Sequence, residues 1–484
     1  METLGSLKGD FVLDGELVAF DQEPPGSPEK EFPSDALIIS ASANLSKWVR
    51  PRPAISGCVR WRGRTDLANR LRDPRAHLPS RDFGLYRLDA GERIEHQSAM
   101  RNMQPSERSK RSSEAQAFAG LIVRERNPEN LEFPFSALNS FVTSNEQFFV
   151  RSHFGVPKLE RDAWRLIIEG RVRQSCEIAF DELVQIPSRT VTMTLECAGN
   201  SRIFLSPKVG GLQWELGAVG NAEWTGVPLA AVLKRAGVKA GAVEVVLEGA
   251  DNGAITKEPV SPGKIHYTRS LPLAKALMPE VILAYSMNGE PLSHSHGFPL
   301  RAVVPGWYGM ASVKWLTRII VTDTAFRGYF QTSDYTFWEQ RDELPVQLLP
   351  VTEIEVKAEI ARPALHEIVP TDAIYRVYGA AWTGESEVSR VEVSTDAGNS
   401  WEQAQLLGES LPYAWRLWEY YWRTPAQPGA HTLMARAADA RGNLQPMQRD
   451  AHRGSYIYII SHVQPIEVEV QKGSASELTD AYAI

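Results

Sequence analysis

The sequence predicts an α+β protein in three parts. These are a poorly ordered N-terminal extension (1–115), a mixed region of strands and short helices (116–345), and an all-β sandwich (350–470). Three observations carry this. Residues 60–111 are dense in Arg, Ser and Pro without apolar periodicity, so they bury too little apolar surface to offset chain entropy. Between 117 and 340, strand-like and helix-like stretches mix without the regular alternation of a nucleotide-binding α/β fold. From 355 to 470 the pattern is almost entirely short strands at regular spacing.

Composition bounds the rest. A chain of 484 residues exceeds one ordinary domain. With 52 basic against 59 acidic residues, the net charge of −7 gives no reason to propose a nucleic-acid or anionic-membrane partner. The three cysteines, Cys58, Cys176 and Cys197, form no CxxC pair, which removes zinc-ribbon, thioredoxin and c-type haem spacings. No apolar run reaches ~18 residues, the length of a membrane span. The first 30 residues lack an export signal, so a cytoplasmic protein is expected, or a periplasmic one if the start lies elsewhere.

In chain order, residues 11–20 form a short apolar stretch whose LDGELVAFD resembles a nucleotidyltransferase motif of ATP-dependent DNA ligases. The nucleophilic lysine motif KxDG of those enzymes is absent, so ligase chemistry has no nucleophile. A gene fusion is one reading of this opening; a start at Met100 or Met103 is another. Val191, Met193 and Leu195 alternate with threonines, the period of a half-buried strand that ends in a Cys-Ala-Gly-Asn turn. Pro228 opens a helix with Leu229, Val232 and Leu233 on one face and Gly237 as its stop. Residues 243–247, 281–285 and 314–321 read as further strands. A Pro- and Glu-containing hinge is expected at 343–355. Strands are then expected at 374–378, 388–394, 415–422, 431–438 and 456–460, with a turn at 396–399 and a frayed tail after 471.

Cys197 is the residue with the most chemical promise. Placed where a strand gives way to a turn, its sulfur has a rigid support, and a thiolate is a soft ligand for a heavier transition metal. One cysteine alone is more often an inert buried thiol. Its neighbours change the reading. LECAGNSR (195–202) closely resembles the LQCAGNRR loop of the sulfite oxidase family, and FFVRSH (148–153) resembles that family's FFVRNH. Residues 218–227, ILAYSMNG (282–289), HGFPLR (296–301), PGWYG (305–309) and VKWL (313–316) continue the likeness, which runs over about 350 residues from 121 to 470.

That resemblance implies a molybdenum ion held by a pterin dithiolene, with Cys197 as the protein's metal ligand. No patterned segment reads as a haem or flavin module, so neither group is expected in this chain. It implies that Phe149, Val150, Arg151, Ser152, His153, Asp251, His296, Arg301, Ser312, Val313 and Lys314 hold the cofactor. Arg301 and Lys314 suit its phosphate and pterin, because burying such groups demands charge-assisted hydrogen bonds. Arg151 and Arg202 match the family's substrate-side arginines, and Tyr335 matches its tyrosine beside the metal. Taken singly, Arg301 and Lys314 read as solvated charges, His296 as a turn histidine and Tyr335 as a sheet-edge residue; together they read as a site. The sandwich resembles the family's immunoglobulin-like dimerisation domain, so the resemblance also implies a homodimer.

The implied reaction is two-electron oxygen-atom transfer to a small oxyanion, sulfite to sulfate, with electrons leaving to a cytochrome or dioxygen. The sequence departs from the family in three places. Ser201 stands where LQCAGNRR has its first arginine, Arg416 is shifted from a second-domain pocket arginine, and Thr336-Phe337-Trp338 replaces a KGFSP-like run. These weaken sulfite as the substrate and leave open another sulfur or nitrogen oxide. A non-catalytic dimeric binding protein with a vestigial site is the rival from another class.

Overall fold

The computed structural model describes residues 11–13, 16–18, 120–339, 345–449 and 459–472. The chain divides into two units, 1–94 and 95–484. In the first, Phe11–Leu13 pairs antiparallel with Glu16–Val18. The remainder of the expected extension, with Cys58, Met100 and Met103, lies outside the described residues.

The second unit is mostly sheet. One five-stranded sheet runs in the order Lys264–Pro272, Glu244–Ala254, Leu316–Thr322, Arg165–Gly170, Cys176–Ala179. Only Leu316–Thr322 and Arg165–Gly170 pair in parallel within it. A second sheet runs Glu290–Pro291, Ile282–Met287, Val219–Pro228, Arg189–Glu196, with Arg301–Val303 added to Ile282–Met287. The Thr-rich strand behaves as its alternation predicts at first: Val191 and Met193 are buried while Thr190 is exposed and Thr192 half-buried. From Thr194 to Glu196 every residue is buried, because a second layer covers that end.

Helices among the described residues are few and short. Leu229–Ala236 buries Leu229, Val232, Leu233 and Ala236, and ends at Gly237, whose φ of 71° lets the chain leave through the left-handed region. The other α-helices described are single turns, Phe180–Leu183, Leu273–Ala276 and Tyr329–Thr332. Among the described residues no helix is long and apolar enough to cross a membrane.

Beyond residue 345, two sheets enclose a common core. One is Lys357–Arg362, Ile374–Trp382, Arg416–Arg423, Gln405–Leu406. The other is Ile368–Pro370, Ile466–Gln471, Gly429–Asp439, Val388–Ser394, Glu402–Gln403. Val377, Trp418 and Trp422 from the first meet Val391, Leu433 and Val468 from the second. The expected strand at 456–460 falls mostly on residues outside those described, and the closing strand is Ile466–Gln471.

The expected hinge needs correction. Gln347–Pro350 is a strand paired with Thr336–Glu339. Beyond it, Tyr308 N donates to Thr352 O at 2.9 Å and Ile354 N to Gly306 O at 2.9 Å. Arg269, fully buried, donates to Val351 O at 2.8 Å. These bonds strap the segment to the 305–309 loop and to Lys264–Pro272. The larger core likewise takes in Trp382 and Trp415 from the second β region, which places that region against the turn carrying Cys197.

Candidate functional site

A cleft opens beside the end of Arg189–Glu196. Cys197 comes directly after that strand. Its N–H donates to Ala218 O at 2.9 Å, its carbonyl accepts from Asn200 N at 2.9 Å, and Asn200 Oδ1 accepts from Ala218 N at 3.0 Å. The turn is therefore pinned to the neighbouring chain on both sides of the sulfur. A side chain at Gly199 would displace the Arg202 guanidinium, which lies against it. Burial pushes the Cys197 thiol up, while Arg151 and Arg202 pull it down. The metal-free chain thus holds a thiol that a bound metal would deprotonate.

Phe148, Phe149 and Val150 bring the chain across the cleft, with the two Phe rings stacked at 5.4 Å. Asn130, fully buried, fixes the next two residues: its Oδ1 accepts from Ser152 N at 2.9 Å and from Arg151 Nη1 at 3.3 Å. Arg151 also donates to Ser152 O. Ser152 Oγ in turn accepts from Lys314 Nζ at 2.9 Å.

The cations opposite are held by carbonyls. Arg301 donates to His296 O at 3.1 Å and Ser312 O at 3.0 Å, and its guanidinium lies over the Trp224 ring at 4.8 Å. Lys314 also donates to Ser295 O at 2.8 Å and sits over Trp315 at 4.2 Å. Burial, then Lys314 and Arg301, pull His296 down to about 3, so its ring is neutral. Its Nε2 lies 3.3 Å from Asn145 O, which can only accept; the proton is therefore on Nε2 and Nδ1 is an acceptor. Among the described residues Asp251 is the one carboxylate lining the cleft, and burial raises it to about 6 against the pull of Lys314.

A third group is aromatic. His153 Nε2 lies 2.7 Å from Tyr335 Oη, and the imidazole stacks on Tyr267 at 4.6 Å. Tyr267 is fixed by donating to Met310 O at 2.9 Å. Burial, with Arg151, Lys314 and Arg269, keeps His153 neutral, and burial pushes the Tyr335 phenol well up so that it keeps its proton.

Most of the residues named from sequence line this cleft: Phe149, Val150, Arg151, Ser152, His153, Cys197, Asp251, His296, Arg301, Ser312, Lys314 and Tyr335. Two do not. Arg202 is buried beneath the turn, donating to Leu212 O at 2.7 Å, and reaches the thiol through its field. Val313 puts its side chain in the core, and its carbonyl accepts from Ala302 N at 2.8 Å. The Ser312 carbonyl holds Arg301 in place. Sequence reasoning missed Tyr267, Met310 and Trp315 as lining residues; Trp315 alone carried a signal, its place in the VKWL motif.

The donor set tests what could bind. Arg151, Arg301 and Lys314 face only one carboxylate in the cleft among the described residues, and Asp251 Oδ1 is buried without a hydrogen-bond partner. A group with an anionic arm, N–H donors for Asp251 and a metal soft enough for a thiolate fits this set.

Comparison with known proteins agrees. The oxidoreductase molybdopterin binding domain family matches residues 153–330, and the Mo-co oxidoreductase dimerisation domain family matches 349–453. Chicken (Gallus gallus) sulfite oxidase is 36% identical over 346 residues, 68% of this chain and 73% of that protein. Mitochondrial sulfite oxidase of Rattus norvegicus is 36% identical over 69% of this chain and 63% of its own length; this chain spans 61% of the Drosophila melanogaster protein. The NADH nitrate reductase of Solanum lycopersicum is 32% identical over 68% of this chain and 39% of its length. Among solved structures, the sulfane dehydrogenase SoxCD of Paracoccus pantotrophus superposes with a TM-score of 0.62 at 28% identity, covering 72% of this chain and 88% of that one.

Proposed function

Because the chain belongs to the sulfite oxidase family of molybdopterin-binding oxidoreductases, we propose that it catalyses two-electron oxygen-atom transfer, oxidising sulfite to sulfate. The observation that carries this is the buried Cys197 thiol at the wall of a cleft where, among the described residues, three cations face one carboxylate. A molybdenum–pterin cofactor bound there would supply the two-electron redox couple and the oxygen transfer. Cys197 would ligate the metal. Arg301, Lys314 and His296 would hold the phosphate and pterin, with Asp251 accepting from pterin N–H groups.

The chain's own groups would do the remaining work. Arg151, braced by Asn130, draws the oxyanion in, and Arg202 adds its field from beneath the turn. Tyr335 keeps a proton at Oη across the working pH range. His153, neutral, accepts that proton at Nε2 in one tautomer; in the other its own Nε2–H donates to Oη. Electrons would leave to an external acceptor, a cytochrome or dioxygen, and the second β region would join two copies into a dimer.

Metal analysis paired with sulfite-dependent ferricyanide reduction tests the reading. Stoichiometric molybdenum with sulfite turnover supports it. The nitrate reductase relative, together with Ser201 and Thr336-Phe337-Trp338, favours a second reading on a nitrogen or other sulfur oxyanion. Molybdenum with nitrate turnover and none with sulfite selects that. A metal-free chain from a host that makes the pterin overturns both.

A further inference from the structure

Outside the cleft, buried charge concentrates under the Cys197 turn. Lys357 and Glu359 lie on Lys357–Arg362 in the second β region, and Glu196 ends the strand that delivers Cys197; all three are 2% exposed or less. The Lys357 ammonium places its three protons within this cluster. Nζ is 3.1 Å from Glu196 Oε1, 2.8 Å from Glu359 Oε1 and 2.9 Å from Ser201 Oγ. Ser201 Oγ donates onward to Glu359 Oε1 at 2.7 Å. Glu196 is further held by Trp382 Nε1 at 2.8 Å and Asn200 Nδ2 at 3.3 Å. Glu196, Asn200 and Ser201, the polar residues around the thiol, are thereby each tied to an element more than 150 residues away.

The charge count explains why. Against LQCAGNRR, the sequence here carries an acid at Glu196 in place of glutamine and a hydroxyl at Ser201 in place of the first arginine. Burial raises Glu359 to about 7 against the pull of Lys357, so without that ammonium the two buried acids would lose the cation they share, and breaking a buried ion pair leaves an uncompensated charge. We propose that Lys357 is a positioning residue for Cys197, supplying from the second β region the cation that the resembling loop carries in its own sequence. The turn that presents the thiol is then held by the second β region, which makes that region part of the metal site. This rests on the reading of Cys197 as the metal-bearing thiol.

The test measures two things on the full chain: molybdenum per chain as purified, and the alkylation rate of Cys197 in metal-free protein, with Cys176 as internal control. Lys357→Met keeps the volume and removes the charge. It should raise Cys197 labelling about tenfold with Cys176 unchanged, the scale expected when a buried charge loses its partner and the turn opens locally, and should lower molybdenum content. The double variant Ser201→Arg, Lys357→Ala returns the cation to the loop and should restore both readouts. Unchanged Cys197 labelling in Lys357→Met, or a double variant no better than the single one, overturns the proposal. If Lys357→Met does not fold, a folded double variant with wild-type labelling supports it and an unfolded one overturns it. A wild-type chain without molybdenum that still shows the labelling pattern removes the proposed reaction and keeps the positioning role.

Discussion

His153 Nε2 lies 2.7 Å from Tyr335 Oη, across 182 residues of chain, on the wall of the same cleft as Cys197. Neither partner bears charge there: burial lowers the imidazole and raises the phenol. The pair is therefore a proton-sharing contact, and its proton stays in place at neutral pH. Removing the hydroxyl should cost turnover more than binding. Tyr335→Phe is expected to lower kcat for sulfite by about 10²-fold, within the usual worth of a positioned proton donor. KM should move much less. Steady-state kinetics check this, and an unchanged kcat would remove Tyr335 from the reaction.

Cys197 is expected to carry the metal. Cys197→Ser replaces a soft ligand by a hard one in a turn that the Cys197 N–H and carbonyl and Asn200 Oδ1 hold in place. The variant should lose molybdenum and oxygen transfer while its circular dichroism stays that of the wild type. Full activity would refute the assignment.

Arg151 is braced by Asn130 and Ser152, so its guanidinium is aimed before substrate arrives. Arg151→Gln should raise KM for an anionic donor, by roughly tenfold for one lost charge-assisted contact, with a smaller change in kcat. Asn130→Ala should move KM in the same direction, since it unseats both Arg151 and the Ser152 backbone. Initial-rate measurements over a range of sulfite decide it, an unchanged KM in both variants placing the substrate elsewhere.

Much of the frame is legible in the sequence because it is local. The Thr/apolar alternation announces the strand to Glu196, and Pro228 with Gly237 brackets the helix Leu229–Ala236. The cleft residues are legible through short motifs, each of which folds as one turn or strand end. What escapes depends on register between distant strands. Tyr267 meets His153 only because Lys264–Pro272 lies at the outer end of its sheet, and no local pattern marks it. Lys357 reads as an ordinary strand lysine until the second β region is packed against Glu196. Arg202 and Val313 have sequence neighbours in the cleft, which suggests the same place for them. A turn at Gly199 and a core-facing connection between Gly309–Ala311 and Leu316–Thr322 send their side chains elsewhere.

Lys314 ties the cleft to pH. Burial, then Arg301, lowers its ammonium from 10.5 to about 7, with Asp251 and Glu129 opposing. A lysine depressed in the folded chain and ordinary in the unfolded one is protonated more readily on unfolding. Between those two values the unfolded chain binds more protons, so stability rises with pH across that window. Below both, the folded state bears the full cost of the buried charge. Lys314→Met removes that cost. In metal-free protein the variant should therefore melt above the wild type near pH 6, by on the order of a few degrees. The gap should close as pH rises toward the unfolded value. Charge has the opposite worth once an anionic group binds, so the same variant should hold less molybdenum at neutral pH. Melting curves at both ends of the window, with metal analysis, check the pair of signs; a gap that is the same at both ends would show that Lys314 is not the group titrating.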